Sequence, residues 1–328
     1  MITGKFPNLR LRRTRKYTWS RRLIQENNLS CNDFIYPIFL IEGKNNKIPI
    51  KSMPGIYKYT IDKIGSLVGN AIKNKIPMVA LFPSTPNKKK DLIGKEALNE
   101  DNLVCKATRY IKKKFKNDIG IMCDVALDPY TTHGHDGLLK KNYVLNDETI
   151  EILKRQSLLQ AEMGCDVIAP SDMMDGRIGK IRKFLDKNNY HDVQLLSYAV
   201  KYASNFYGPF RDAIGSKKSL KSNKKNYQMD FANSNESMRE VSLDIKEGAD
   251  MVMVKPGMPY LDIIKTIKDN FKIPVMAYQV SGEYSLIKNG IKNKLINEDA
   301  IIESLMCFKR AGASAIVSYF AIDIAKKL

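Results

Sequence analysis

The sequence predicts an α/β protein that folds as a (β/α)8 TIM barrel, and three observations support this class. Eight short apolar runs recur along the 328 residues, as strands covered on both faces of a parallel sheet require. Segments of helical length and helical spacing separate the runs. Neither G-x-G-x-x-G after a strand nor G-x-x-x-x-G-K-[ST] occurs, so the phosphate turn that a doubly wound sheet would more commonly carry is missing. Eight alternations in a chain of this size indicate a barrel.

The predicted strands are short and often open with β-branched or aromatic residues. In chain order they are residues 33–40, 77–83, 119–127, 165–171, 193–201, 250–256, 274–281 and 314–320. Between them, two segments show helical spacing and end at a glycine, as helices often do. Residues 148–164 place Ile152, Leu159 and Met163 near one stripe. In residues 235–249 the predicted stripe consists of Met238, Val241, Leu243 and Ile245.

The first 30 residues are predicted to form an extended N-terminal arm, which leaves residues 31–328 for the barrel. The segment RLRRTRKYTWSRR at 10–22 is rich in arginine, and no acidic residue precedes Gln25. An organelle transit peptide has this composition, although the segment lacks the apolar core of a secretory signal. An extended arm that packs on a neighbouring subunit is the other interpretation, and the composition alone leaves both open.

The formal net charge of +19 admits nucleic acid, a membrane surface or acidic small molecules as partners. The lysines are spread along the whole chain, and no zinc-finger, RNP or helix-turn-helix signature accompanies the basic clusters. No apolar run approaches the roughly 18 residues that a membrane helix needs. We therefore expect neither a nucleic-acid nor a membrane partner. Five scattered cysteines without a C-x-x-C pair indicate reduced thiols and a cytoplasmic protein.

Polar residues collect at the C-terminal ends of the predicted strands, where a barrel of this kind carries its chemistry. In strand order they are Asp124 and Asp128, Ser171 and Asp172, Lys201, Lys255, Ser281 and Glu283, and Tyr319. Two lysines therefore end adjacent strands and point into the same mouth. Repulsion between two ammonium groups and partial burial both lower a lysine pKa toward neutrality. A neutral lysine forms a Schiff base with a ketone, so the pair predicts covalent catalysis on carbonyl substrates.

Groups suited to binding carboxylates follow Lys201 in the sequence. Arg211 lies ten residues beyond it, and Lys224 ends a loop rich in glycine, serine and lysine at 215–225. Arginine binds a carboxylate through a bidentate fork, and lysine binds it as a point charge. The composition of the loop suits a flexible lid, and a solvated charged loop is the alternative.

Several long motifs, in order from about residue 7 onwards, resemble porphobilinogen synthase, the 5-aminolevulinate dehydratase family. They are LLSYAVKYASNFYGPFRDA, MVMVKPGMPYLDII, AYQVSGEY, YTTHGHDG, MPG at 53–55 and AIVSYFA. The resemblance implies condensation of two molecules of 5-aminolevulinate into porphobilinogen with loss of two waters, an early step of tetrapyrrole synthesis. It also implies a homo-octamer assembled through the arm, which favours the arm over the transit peptide.

The same resemblance assigns expected roles to residues of this sequence. Lys201 and Lys255 would be the two Schiff-base lysines, and Lys255 would hold the substrate that binds first. Ser281 and Tyr319 would bind the carboxylate of that first substrate. The carboxylate of the second would be held by Arg211, Lys224 and Gln228.

The expected metal chemistry departs from that of the zinc-dependent members of this family. Where those members carry three cysteines, this sequence has Ala126, Asp128 and Asp136. Thiolates suit zinc, whereas carboxylates suit magnesium or a monovalent ion, so we expect no catalytic zinc. With Asp124, the two aspartates are candidates for ordering water or a monovalent cation beside the lysines. The segment SMREVSLD resembles the allosteric magnesium site of the family, with Glu240 as the matching carboxylate.

Two other functions remain to be distinguished. An aldolase acting on a phosphorylated sugar would need one essential lysine and a glycine-rich phosphate cradle near strands 7 and 8, which the sequence lacks. A basic nucleic-acid-binding protein would need exposed aromatic residues among its arginines, and only Tyr17 and Trp19 qualify. Such a protein would bind DNA or RNA in a salt-sensitive way without turnover.

Overall fold

A computed structural model describes residues 4–214 and 223–328 of the chain, and it confirms the predicted barrel. Eight parallel strands form it: β1 (Phe34–Leu40), β2 (Met78–Pro83), β3 (Gly120–Val125), β4 (Val167–Pro170), β5 (Gln194–Lys201), β6 (Met251–Lys255), β7 (Val275–Tyr278) and β8 (Ala315–Val317). Each strand pairs with the next, and β8 pairs back onto β1 through Phe34–Ile316 and Ile35–Val317. Because the sheet closes on itself, every C-terminal strand end faces one mouth.

Helices surround the strands and cover their outer faces. They are α1 (Thr18–Leu23), α2 (Ile61–Lys73), α3 (Leu103–Phe115), α4 (Asn146–Glu162), α5 (Arg177–Lys187), α6 (Gly208–Ala213), α7 (Asn235–Glu247), α8 (Leu261–Asn270), α9 (Ser281–Lys292), α10 (Asp299–Ala311) and α11 (Ala321–Ala325). Two short strands, Lys47–Pro49 and Tyr57–Tyr59, extend the sheet from β1, and Leu138–Lys140 pairs with Tyr143–Leu145 in a hairpin. None of the helices in the described ranges combines the length and apolarity that crossing a membrane requires.

The predicted strands agree with the structure at their starts and differ at their ends. The apolar runs continue past β3, β7 and β8, but the chain leaves the sheet after Val125, Tyr278 and Val317. Residues beyond these points remain buried in loops that close the mouth, so apolar character persists where pairing has ended. Ser281 consequently belongs to the first turn of α9 and not to a strand.

The predicted apolar stripe of α4 is wrong. Ile152, Leu159 and Met163 are only partly buried, whereas Gln156 and Gln160 lie on the buried face. The physical reason is that α4 covers backbone carbonyls left unpaired where β3 ends. Gln160 Nε2 donates to the carbonyl oxygen of Asp124 at 3.1 Å, and Gln156 Nε2 is 3.4 Å from that of Ala126. Two amides therefore share the buried face of α4 with the aliphatic residues Ile150, Leu153 and Ala161.

The predicted stripe of α7 is also wrong at one position. Leu243 is 51% exposed, while its neighbour Asp244 is buried. Asp244 Oδ2 lies 3.5 Å from Nη2 of Arg177, a fully buried guanidinium at the start of α5. The buried face of α7 thus includes one partner of an ion pair, which a hydrophobic pattern does not indicate.

An irregularity in the β5–β6 pairing determines the relative positions of the two lysines. Ser197 pairs with Val252 and Val200 with Val254, so β5 advances three residues while β6 advances two. One extra residue in β5 forms a β-bulge, which changes the register locally. Beyond the bulge, Lys201 and Lys255 are direct partners across the two strands.

The described part of the N-terminal segment is short helix and extended chain with exposed side chains. A 3-10 helix spans Leu11–Arg15 and precedes α1. Phe6, Leu11, Trp19 and Leu23 expose most of their apolar surface. The predicted boundary at residue 30 and the packing of this arm on another subunit stay predictions.

Candidate active site

Two lysines lie side by side at the mouth of the barrel. Lys201 is the last residue of β5 and Lys255 the last of β6, and the two pair directly in the sheet. Each is only 6% exposed, which is rare for a residue type that seldom leaves water. The sequence placed both lysines at strand ends, and the barrel brings them together as that position implies.

Lys255 points its amine into a group of aromatic rings. Nζ lies 4.6 Å from the ring centroid of Tyr278, 5.1 Å from Tyr198, 5.2 Å from Phe210 and 5.5 Å from Tyr207. Ring faces attract a cation weakly and do not replace its hydration. Burial, followed by repulsion from Lys201, lowers the pKa of Lys255 to about 7. A large fraction of its amine is therefore uncharged near neutral pH.

Lys201 has polar neighbours instead. Its ammonium donates to the backbone carbonyl oxygen of Ser171 at the end of β4. Its Nζ also lies 3.7 Å from Oδ2 of Asp136. A carbonyl and a carboxylate thus orient this amine at the boundary between β4 and β5.

Three aspartates lie beside the lysines, Asp128 and Asp136 buried and Asp124 partly exposed, and their pKa values differ. Burial raises the pKa of Asp124 to about 6, although Lys255 and Lys201 favour its ionised form. Burial likewise raises the pKa of Asp128. For Asp136, burial opposes ionisation, but Lys201 and Lys224 outweigh it and hold the pKa well below its ordinary value. The site therefore contains both a permanent carboxylate and an acid that titrates within the neutral range.

Lys224, predicted to bind substrate, is paired with two of these aspartates in the structure. Its Nζ lies 3.0 Å from Oδ1 of Asp136 and 3.4 Å from Oδ2 of Asp128. Burial disfavours the ammonium, yet the two carboxylates keep the pKa of Lys224 above its ordinary value. Gln228 Nε2 donates to the other oxygen of Asp136 at 3.3 Å, and its Oε1 accepts no hydrogen bond from the described residues.

Arg211 lies in α6, partly buried, on the same side of the mouth. Within residues 4–214 and 223–328 its guanidinium has no ion-pair partner, and it lies close enough to oppose the charge of Lys224. The predicted cations of the second carboxylate site are thus neighbours. The predicted lid at 215–225 lies almost entirely outside the described residues, which resume at position 223.

Ser281 and Tyr319 lie on the Lys255 side of the mouth. Ser281 Oγ accepts a hydrogen bond from the backbone N–H of Phe210 at 2.9 Å. The hydroxyls of Tyr319 and Tyr278 share a hydrogen bond of 3.2 Å. Phe210 and Tyr278 are two of the rings around Lys255, so both predicted residues border its pocket.

Sequence reasoning missed the aromatic surroundings of Lys255 and the carbonyl that receives Lys201. Tyr198, Tyr207 and Phe210 all lie within the motif that contains Lys201. Their density in that motif is a signal that could have been used. The carbonyl of Ser171 left no signal, because any residue supplies a backbone oxygen.

The predicted metal positions have no obvious ligand geometry. In the described part of the chain, no group of three or more His, Cys, Asp or Glu residues is arranged to hold a metal ion. Nε2 of His133 donates to the carbonyl oxygen of Leu92 at 3.1 Å, and Nδ1 of His135 lies 3.2 Å from the hydroxyl of Tyr227. Ala126 is buried and offers no side-chain donor.

Glu240 lies on α7, away from the lysines and beside other carboxylates. It faces a cavity of about 230 Å³ that is also lined by Asp175 and Glu236. Burial raises the pKa of Glu240 to about 7; Arg177 opposes this rise, and the neighbouring carboxylates add to it. Glu236 and Glu240 are partly buried and Asp175 is exposed, and among the described residues the three carboxylates do not converge as a metal-binding group.

Comparison with known proteins identifies the family. Residues 8–327 match the family described as ALAD, Delta-aminolevulinic acid dehydratase. The chain is 56% identical over 321 residues to the Delta-aminolevulinic acid dehydratase of Bradyrhizobium diazoefficiens, covering 98% of this chain and 91% of that protein. It is 45% identical to the enzyme of the same name from Rhodobacter capsulatus, covering 99% and 98% of the two chains.

A solved structure agrees with both fold and family. The crystal structure of delta-aminolevulinic acid dehydratase (porphobilinogen synthase) from Toxoplasma gondii, in complex with the reaction product porphobilinogen, superposes with a TM-score of 0.95. The two sequences are 42% identical, and the match covers 98% of this chain and 91% of that one. With the match along nearly the whole sequence and the two buried lysines at its mouth, the chain belongs to the delta-aminolevulinic acid dehydratase family.

Proposed function

We propose that the two lysines condense two molecules of 5-aminolevulinate into porphobilinogen, each lysine binding one substrate as a Schiff base. Membership of the family makes the chain a porphobilinogen-forming dehydratase, a lyase of haem and other tetrapyrrole synthesis. The direct pairing of Lys201 with Lys255 carries the proposal for the mechanism. Two ketone substrates need two amines within reach of each other, and the register of β5 and β6 supplies them.

Lys255 is the amine better prepared for the first attack. Its pKa of about 7 leaves a nucleophilic lone pair available, and the ring faces around it stabilise the protonated form only weakly. Attack on the ketone gives a carbinolamine, and loss of water leaves an iminium. The iminium acidifies the neighbouring carbon, which then joins the second substrate. Asp124, with a pKa near 6, is a carboxylic group suited to proton transfer at this point.

The two substrate carboxylates would bind on opposite sides of the lysine pair. Ser281 and Tyr319 border the Lys255 pocket and supply hydroxyl donors. Arg211, Lys224 and Gln228 supply cations and an amide on the other side. Lys224 now binds Asp128 and Asp136, so a substrate carboxylate would join this network or displace one of its acids.

At the positions that match the zinc-binding cysteines, the residues present support an ion-pair network and not a zinc site. Asp128 and Asp136 bind the ammonium of Lys224, and Ala126 provides no ligand. A monovalent cation beside Asp124 is the alternative source of positive charge, since hard oxygen ligands suit such ions, and ordered water could occupy the same place without adding charge. In either arrangement, the charge near the lysines comes from groups other than a thiolate-bound metal.

Magnesium is the metal that the surroundings of Glu240 suit. Oxygen ligands and retained waters are its preferred coordination, and Glu240, Glu236 and Asp175 present carboxylates to one cavity. When bound, the ion would neutralise part of their mutual repulsion. We propose that it acts there on subunit assembly and not on the chemistry.

A homo-octamer and a cytoplasmic location complete the proposal. Phe6, Leu11, Trp19 and Leu23 of the arm expose apolar surface that a neighbouring subunit would cover. Cys31, Cys105, Cys123, Cys165 and Cys307 are all free thiols, which fits a reducing compartment.

The test is incubation with 5-aminolevulinate and colorimetric detection of the pyrrole product. Lys255→Ala and Lys201→Ala should lose the product. Lys265→Ala, a change of an exposed lysine on α8, should keep it and serves as the matched control. Absence of the pyrrole from the unaltered protein, or its full retention in Lys255→Ala, would refute the proposed function.

A further inference from the structure

The backbone that follows Lys255 is held by one buried carboxylate. Pro256 has no N–H, so the first two donors after β6 are the amides of Gly257 and Met258. Gly257 N lies 3.5 Å from Oε2 of Glu283, and Met258 N donates to Oε1 of the same side chain. Glu283 is 2% exposed. The first amides beyond the lysine therefore meet a single acceptor group.

The same carboxylate is fixed to the next strand of the barrel. Glu283 Oε2 also accepts from the backbone N–H of Val280, the residue that precedes the first turn of α9. Gly282 lets this helix start approach closely, because a Cβ there would lie 2.3 Å from the carbonyl oxygen of Phe206. Glu283 thus connects the end of β6 to the end of β7.

The segment that Glu283 holds has little room to move. A Cβ at Gly257 would lie 2.4 Å from the ring of Phe308 and 2.9 Å from the carbonyl oxygen of Tyr278. The carbonyl oxygen of Lys255 itself accepts from the backbone N–H of Tyr202 at 2.9 Å. Hydrogen bonds therefore hold the backbone at Lys255 itself and directly after it. Glu283 is the acceptor for those directly after it.

We propose that Glu283 is a positioning residue, which fixes the backbone after Lys255 so that its amine stays among the aromatic rings; this inference rests on the proposed role of Lys255. A carboxyl group suits the task because its two oxygens meet all three backbone amides, whereas a glutamine would turn an NH₂ group toward N–H donors. Burial raises the pKa of Glu283 to about 8, and the three amides oppose that rise by favouring the ionised form.

Glu283 acts on Lys255 through geometry and not through its charge. The charged groups that act most strongly on Lys255 are Lys201, Asp124, Asp128 and Asp136. If the loop loosens, Lys255 leaves its buried position, and its pKa rises toward the ordinary lysine value. Imine formation needs the neutral amine. The pH at which its rate is half-maximal would therefore rise.

The experiment compares the full-length protein with Glu283→Gln and Glu283→Asp, the second of which keeps the carboxyl group but shortens its reach. Asp33→Asn is the matched control, since Asp33 is also a buried acid that accepts from the backbone N–H of an N-cap residue, but it precedes the start of β1, at the end of the barrel away from the mouth. The rate of borohydride trapping of 5-aminolevulinate on Lys255 is measured by mass spectrometry across pH. Thermal midpoints are measured on the same samples.

We expect both Glu283 variants to trap about 10- to 100-fold more slowly, as misplacement of a reacting group by about 1 Å produces. Their half-maximum should move to higher pH, while Asp33→Asn traps as the unaltered protein does, whatever its thermal midpoint. Unaltered trapping in either Glu283 variant would overturn the inference, as would a shift to lower pH. Failure of the unaltered protein to trap substrate would refute the proposed function instead.

Discussion

The two lysines differ in their surroundings although they end neighbouring strands in register. Lys255 lies among four aromatic rings and has a pKa lowered to about 7, mainly by burial. Lys201 donates to the carbonyl oxygen of Ser171 and faces Asp136. One amine is made nucleophilic by removal from water, and the other is oriented by acceptors. In the proposed mechanism, Lys255 is therefore the attacking amine and Lys201 the oriented partner.

The largest expected effect comes from removing either amine. Lys255→Ala should lose turnover by about 10³- to 10⁶-fold, because the covalent step loses its nucleophile. Lys201→Ala should lose most of its turnover but still trap substrate on Lys255 with borohydride. Pyrrole formation and mass spectrometry of the trapped protein measure the two results. If both variants trap equally on the remaining lysine, the division into two roles is wrong.

Arg211→Ala tests the side of the site that holds the second substrate. Loss of a charged partner of a desolvated carboxylate costs roughly 2–5 kcal/mol. We expect a correspondingly higher concentration of 5-aminolevulinate at half-maximal rate, with borohydride trapping on Lys255 little changed. Arg155→Ala, at an exposed position on α4, is the control. An unchanged dependence of rate on 5-aminolevulinate concentration would count against the carboxylate site.

Glu240→Ala is expected to have a smaller effect, which depends on magnesium. After treatment with chelator, magnesium should restore activity and octamer in the unaltered protein by about 5-fold or more. Glu240→Ala should not respond, and the exposed Glu303→Ala should respond normally. Activity and sedimentation are measured together. Restoration by zinc but not by magnesium would show the metal assignment to be wrong.

The smallest expected effect is a shift in pH dependence that separates the two causes of the low Lys255 pKa. Imine formation by the unaltered protein should rise with pH through about 7, as Lys255 loses its proton. Lys201→Ala removes the repulsion but leaves the burial, so the pKa of Lys255 should rise. The half-maximum for borohydride trapping should then move to higher pH without reaching that of a free lysine. An unmoved half-maximum would make burial the sole cause.

The parts of this molecule that sequence predicted well are those determined by one strand at a time. Runs of apolar residues located all eight strands, and the ends of two of these runs placed the two lysines at the ends of β5 and β6. The pairing of Lys224 with Asp128 and Asp136 could not be predicted, because it joins residues about 90 positions apart through a loop. The buried amides of α4 and the acid of α7 were also missed. Their burial follows from hydrogen-bonding needs of neighbouring elements, which leave no hydrophobic period.

The bulge in β5 has an evolutionary consequence. Loops of a barrel tolerate insertions, but the number of residues between Ser197 and Lys201 must stay fixed. A shift by one residue reverses the direction of every later side chain in a strand. Deleting one residue there would regularise the pairing and turn Lys201 out of the mouth, toward the helical layer. We therefore expect relatives that keep both lysines to differ in this stretch of β5 by substitution and not in its length.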